Sequence, residues 1–226
     1  MTLLNVTLRP SVAVVSTDRT VYLETFGTSP PEQAVREVPD DPREHTALHG
    51  ERLKLYRIST FGGVTACAGF VSMMNAWRHA LEQHAPHDIA DLPGCIPGVA
   101  GQVRRTMNED MVTITAGYSA RQQRVLAFQS RTCDGFDAQR LPDEHGNLPP
   151  LNGADRAYAS IERNLHTSDP LDLVALHRAF AANQVRAQRE GWYTSAPPFG
   201  EWLDVAVVTR AGVNVMQVGA DDLANA

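Results

Sequence analysis

The strand-like stretches of this chain arrive in adjacent pairs, and the helical patterns fall between the pairs. "TLLNVTL" (2–8) alternates loosely and "SVAVVST" (11–17) is β-branched and mostly apolar. "RPS" joins them, with Pro10 fixing φ and donating nothing to a ladder. "VYLETF" (21–26) is read as extending this hairpin system. "KLYRIS" (54–59) and "GVTACAG" (63–69) form the next pair, turning at Phe61-Gly62-Gly63. "MVTITAGYS" (111–119) and "RVLAFQS" (124–130) form a third around Ala120–Gln123. "LDVAVVTR" (203–210) and "VNVMQVGA" (213–220) close the chain, turning at Ala211-Gly212.

"FVSMMNAWRHALEQH" (70–84) places Phe70, Met73, Met74, Trp77, Ala80 and Leu81 on one stripe, as an amphipathic helix requires. Further helices are predicted over 99–109, 154–165 and 170–190, the last capped by Ser168 or Asp169 with Pro170 in its first turn. Residues 142–152 read as loop, and "GVAGQVRR" (98–105) as a loop entering a helix. The order is strands, two helices, strands, two helices, strands. There is no βαβ alternation, which excludes a parallel doubly wound sheet. Two antiparallel sheets face to face, with helices outside both, would bury every apolar face: an α+β chain. No internal repeat or linker divides residues 1–226, so one domain is expected, with the Pro- and charge-rich 28–50 as a surface insertion.

The 226 residues carry a net charge of −6, which gives no general affinity for nucleic acid or anionic membrane. No apolar run approaches the ~20 residues of a membrane span. The first residues lack a basic n-region and apolar h-region, so no secretory signal is expected. Cys67, Cys95 and Cys133 form neither a C-x-x-C pair nor a disulfide framework. The expected compartment is the reducing cytoplasm. His84 and His87 with Asp88 fall at a helix end near Pro86, with no further ligand nearby in sequence, and read as a solvated helix terminus. No cofactor motif is present: "GVAGQVRR" is not G-x-G-x-x-G, and no G-x-S-x-G elbow occurs. No cofactor and no metal are expected.

Two residues stand out chemically. Lys54 is the single lysine among twenty Lys and Arg. Arginine-biased usage accounts for the ratio equally well, but only lysine loses its proton when desolvated. Thr2 directly follows the start methionine. With Met1 removed, it carries both a hydroxyl and a free α-amine of ordinary pKa near 8, which is a known solution to nucleophile activation. Such a nucleophile needs a carboxylate, a cation and backbone N–H donors nearby. Asp18 ends the second strand, Lys54 starts a later one, and "ACAG" (66–69) runs into a helix.

Thr2, Asp18 in "DRT" (18–20), Lys54 in "KLYRIS" and the small-residue "TACAGF" (65–70) together resemble the proteasome β-type N-terminal nucleophile hydrolases. These include proteasome β subunits, HslV and the bacterial Anbu group. "SAPPFGEWLDVAVVTRAG" (195–212) is similar to Anbu sequences entering a late strand. The resemblance implies a four-layer αββα sandwich. It implies a threonine peptidase in which Thr2 attacks, its α-amine is the base, Lys54 stabilises the nucleophile, Asp18 holds Lys54, and Gly69 supplies the oxyanion donor. It also implies a homo-oligomeric ring acting on peptides or unfolded protein, with or without an unfoldase partner. The chain departs from the family in three places. Asp18 and Lys54 lie further apart than in the family. "LNGADRAYAS" (151–160) stands where a "GSG" element is sought. The family's later Asp and Ser have no assigned counterpart; Thr194, Ser195, Glu201 and Asp204 are all near the right region. Two alternatives stay open. If "SVAVVST" and "VYLETF" form the first hairpin, Pro10 and Phe26 replace the Thr and Asp, and the chain is an inactive scaffold subunit. A small-amide hydrolase on the same fold is the other.

Overall fold

The structure, a computed structural model, describes residues 4–18, 21–22, 35–36, 54–69, 71–84, 86–106, 111–147, 167–189 and 202–219. Among them are two five-stranded antiparallel sheets, a two-stranded ribbon and three α-helices. The first sheet has the order β10-β1-β2-β11-β12: His145–Asn147, Leu4–Arg9, Val12–Asp18, Trp202–Thr209 and Gly212–Gly219. The second runs β5-β6-β7-β8-β9: Leu55–Ile58, Gly63–Ala68, Val112–Ser119, Arg124–Arg131 and Gln139–Arg140. The ribbon pairs β3 (Val21–Tyr22) with β4 (Val35–Arg36), and only β4 lies inside the 28–50 stretch expected to be an insertion; the rest of 28–50 lies outside the described residues. The helices are α1 (Val71–His84), α2 (Leu92–Thr106) and α3 (Pro170–Arg189).

Three apolar clusters follow from strand alternation. Val6, Leu8, Ala13, Val15 and Ala206 of the first sheet pack with Leu55, Val64, Ala66, Ile114 and Ala127 of the second. On the other face of β2 and β11, Val12, Val14, Leu203 and Val205 pack against Leu173, Leu176 and Phe180 of α3. Cys67 and Phe128 of the second sheet pack against Met73, Trp77 and Leu81 of α1 and Ile96, Val99 and Val103 of α2. The stripe read from 70–84 is thus the buried face of α1, with Phe70 outside the described residues. The wholly buried Trp77 donates its indole N–H to Thr65 Oγ1 (3.2 Å), so the ring enters the core with its polar atom satisfied.

The structure corrects four local expectations. The second helix begins at Leu92, not 99, and takes in "GVAGQVRR". Pro93 sits in the first turn, where no N–H is needed, and Pro97 lies inside the helix. Leu92, Ile96, Val99 and Val103 are all buried, and that apolar stripe outweighs the Pro and Gly content. A short 3₁₀ turn, Ile89–Asp91, precedes it, capped by the Asp88 side chain on Ala90 N (2.8 Å). The 142–152 loop contains β10, which pairs with β1 through Val6↔Asn147. Val21–Tyr22, the described part of "VYLETF", does not extend the first hairpin. Both edges of β2 are taken, by β1 and β11, so Val21–Tyr22 pairs with Val35–Arg36 instead. The helix over 154–165 lies outside the described residues. At α3, Asp169 is the cap: its Oδ1 accepts from Leu171 N (2.7 Å), with Pro170 in the first turn.

Asn5 is an exception to this packing. It is fully buried on β1, opposite Ser16, and among the described residues neither amide atom has a hydrogen-bond partner. Leaving such a group unsatisfied costs about 1–3 kcal/mol, and asparagine is a poor strand former. An Asn5→Val variant is therefore expected to be more stable than wild type by roughly 1–2 kcal/mol, read as a higher denaturant midpoint at unchanged slope. A lower midpoint would show that the amide is bonded in the native protein.

Candidate functional site

β2 is buried along its whole length and ends at Asp18, which is itself 0% exposed and stands opposite Leu203 of β11. Lys54 immediately precedes β5, is 2% exposed, and accepts from Cys67 N through its carbonyl (2.7 Å), adding one step to the β5–β6 ladder. Its Nζ donates to Asp18 Oδ1 at 3.0 Å. This ion pair ties the end of the first sheet to the start of the second. Two groups 36 residues apart meet because each lies at the end of a strand.

A buried ion pair adds little net stability, but removing one partner leaves the other charge uncompensated at a cost of about 3–5 kcal/mol. The balance of terms is visible at Lys54. Loss of solvation pulls its pKa below the ordinary lysine value; the charge and hydrogen bond of Asp18, and the charge of Asp204, oppose that pull without cancelling it. Asp204 is 7% exposed and stands opposite Thr17 on β11. Of the residues near the family's later supporting positions it is the one described; Thr194, Ser195 and Glu201 lie outside the described residues, as does the "LNGADRAYAS" segment (151–160).

Gly69 follows β6 directly, two residues beyond Cys67, whose N–H bonds to Lys54. It is exposed, and its φ of 151° falls where side-chain-bearing residues rarely go. The residue therefore ends β6 and turns the backbone out of the sheet just before α1. Thr2 lies outside the described residues. The structure thus brings together Asp18 and Lys54, sets Asp204 within electrostatic reach, and puts Gly69 on the adjoining turn. Among the described residues no cluster of three or more His, Cys, Asp or Glu side chains is placed to hold a metal ion. Chemically, the arrangement offers a buried ammonium that loses its proton more readily than an ordinary lysine, held by the Asp18 carboxylate. Such a group stabilises a neighbouring oxyanion or exchanges a proton with it.

One buried polar residue had no place in the reading of the sequence. His177 of α3 is 0% exposed, with Nδ1 2.7 Å from Ser16 Oγ and Nε2 3.0 Å from Thr7 Oγ1. The signal was a histidine inside an apolar helical stripe. Asp204 carried a similar signal, a lone carboxylate within the apolar "LDVAVV". No helix among the described residues is long and apolar enough to cross a membrane.

No family model matches the sequence, and no curated protein matches it. The fold has a counterpart among solved structures. The Anbu (Gly-1) mutant from Hyphomicrobium sp. strain MC1 superposes with a TM-score of 0.67 over 100% of this chain and 93% of that one, at 14% sequence identity. The chain therefore has the fold of Anbu, one of the proteasome-like groups its residues resemble.

Proposed function

We propose that this chain is a proteasome-like threonine peptidase subunit, built as an αββα sandwich and acting after Met1 is removed. The observation that carries the reading is the buried Asp18–Lys54 pair. A chain with nineteen other basic residues, all arginine, places its one lysine where it is desolvated against a carboxylate. The β1–β2 register supports the same reading. Leu4 is opposite Thr17, and Leu4, Val6 and Leu8 share the face turned toward the second sheet. The hairpin required by the scaffold alternative, 11–17 with 21–26, is not the one formed.

In this mechanism the Thr2 hydroxyl attacks the substrate carbonyl and forms an ester. The α-amine of Thr2 accepts the hydroxyl proton and passes it to the leaving amine. The Lys54 ammonium stabilises the nucleophilic oxygen, Asp18 holds Lys54, and Asp204 adds negative charge that keeps the lysine protonated. The N–H of Gly69 receives the oxyanion. Water then hydrolyses the ester, with the amine again as base. The proposal includes a cytoplasmic homo-oligomeric ring that admits unfolded chains, with α1 as an element able to pack between subunits.

The test combines intact mass with kinetics. The mature mass should lack Met1, and Lys54→Arg should lower kcat/KM by about a hundredfold, on the order of 3 kcal/mol. Arginine preserves charge but not the compact ammonium, nor its readiness to release a proton. Retained Met1, or activity within about threefold of wild type in an intact oligomer, would remove the basis for this mechanism.

A further inference from the structure

His177 occupies the middle of α3 in a stripe otherwise made of Leu173, Val174, Leu176, Phe180 and Ala181. Its ring spans the first hairpin, reaching Ser16 on β2 and Thr7 on β1. Ser16 is two residues before Asp18, so the two side chains leave the same strand on the same side, about 7 Å apart along it. The hydrogen-bonded path thus runs from α3 through the imidazole to Ser16, and along two residues of β2 to the carboxylate that holds Lys54.

We propose that His177 is a positioning residue for the Asp18–Lys54 pair, fixing the end of β2 through Ser16. The catalytic meaning of that pair rests on the peptidase reading; the coupling itself does not. The surroundings of the ring favour such a role. From β2 it meets the Ser16 hydroxyl, with Asp18 next on that side, and from β1 the Thr7 hydroxyl, with Asn5 opposite Ser16 and Arg9 at the strand end. The β11 residues sharing its cluster, Leu203, Val205 and Val207, are apolar, and Asp204 alternates to the other face. On α3 itself the charged residues nearest in sequence are Arg178 and Asp172. Apolar side chains alone would bury the helix as well. A ring bonded to one hydroxyl on each strand also fixes the hairpin's position along the helix, which non-directional packing does not.

Because Lys54 is the only lysine, isotope-labelled lysine makes it the one lysine resonance of the whole chain. Asparagine at 177 sets its amide near the Nδ1 position and keeps a partner for Ser16. Glutamine reaches the Nε2 position and keeps a partner for Thr7. His177→Asn should leave the Lys54 side-chain shifts and titration midpoint close to wild type. His177→Gln and Ser16→Ala should each move the midpoint by at least about half a pH unit. A purely structural histidine would lower the melting temperature in all variants and leave the Lys54 signal where it was; that result overturns the proposal. An equal displacement in His177→Asn and His177→Gln overturns it too, since the Ser16 link would then not be the route. Ser16→Ala keeps the helix unaltered and supplies the measurement if neither 177 variant folds. The readout needs no substrate, so a chain with no peptidase activity still tests the coupling.

Discussion

A Thr2→Ala variant is expected to fold and assemble as wild type while peptide hydrolysis falls to background, a loss on the order of 10⁴-fold or more. The substitution removes a hydroxyl and a methyl group and changes none of the described residues that form the apolar clusters. The change is small and leaves these clusters intact, so the variant is expected to fold. The chemistry depends on residue 2 entirely, because no other nucleophile is in the proposed mechanism. Cys67, the cysteine nearest Lys54 in the fold, is wholly buried, and burial holds its thiol far above the usual range. Thr2→Ser, which keeps hydroxyl and amine, should retain measurable turnover. Kinetics should be read beside intact mass and circular dichroism. Alanine at wild-type turnover would exclude Thr2 as the nucleophile. The same assay separates the alternatives. A scaffold subunit shows no hydrolysis before mutation, and a small-amide hydrolase cleaves small amides but not peptides, with both rates tied to Thr2.

The sheets were legible because their strands are hairpins. Period-two apolar runs broken by Pro10, Gly62 and Gly212 carry both the strand and the turn in one short stretch. Residues 99–109 show where that reading stops. Pro93, Gly94, Pro97 and Gly98 are each a local signal against helix, and only the tertiary burial of Leu92 and Ile96 outweighs them. β10 was invisible for the opposite reason. Three residues with no apolar pattern become a strand because β1 offers a free edge. At the site, Asp18 and Lys54 were legible as residue types at strand ends, but their contact joins two sheets and no local pattern encodes it. Asp204 and His177 are polar residues within apolar stretches. Such residues can be marked from sequence, but what they touch is settled by the strand or helix packed against them.

Acid should unfold this protein in large part through His177. The buried ring has its pKa pushed down to about 3, because desolvation disfavours the imidazolium, and its hydrogen-bond partners among the described residues are two hydroxyls. In the unfolded chain the same ring has its ordinary value near 6.5. Between those values the unfolded state binds a proton that the folded state refuses. Stability therefore falls as pH drops below about 6.5, with a slope approaching ~1.4 kcal/mol per pH unit. The gap of roughly 3.5 pH units amounts to about 5 kcal/mol by pH 3, comparable with the whole stability of many domains. Carboxylates take up protons mostly below about pH 4.5, so the interval from 6.5 to 4.5 reports mainly on histidine. His177→Gln isolates this residue from the other seven. Glutamine does not titrate, so its stability should change less with pH there, by roughly 1 kcal/mol per unit. At pH 7.5 the variant should be the weaker protein, having lost packing and the bond to Ser16. On acidification the curves should converge and then cross, leaving the variant the more stable of the two. Denaturant melts of both proteins across this range decide the matter. Parallel curves, with the variant below wild type at every pH, would mean that His177 takes up its proton in the folded state as readily as in the unfolded one.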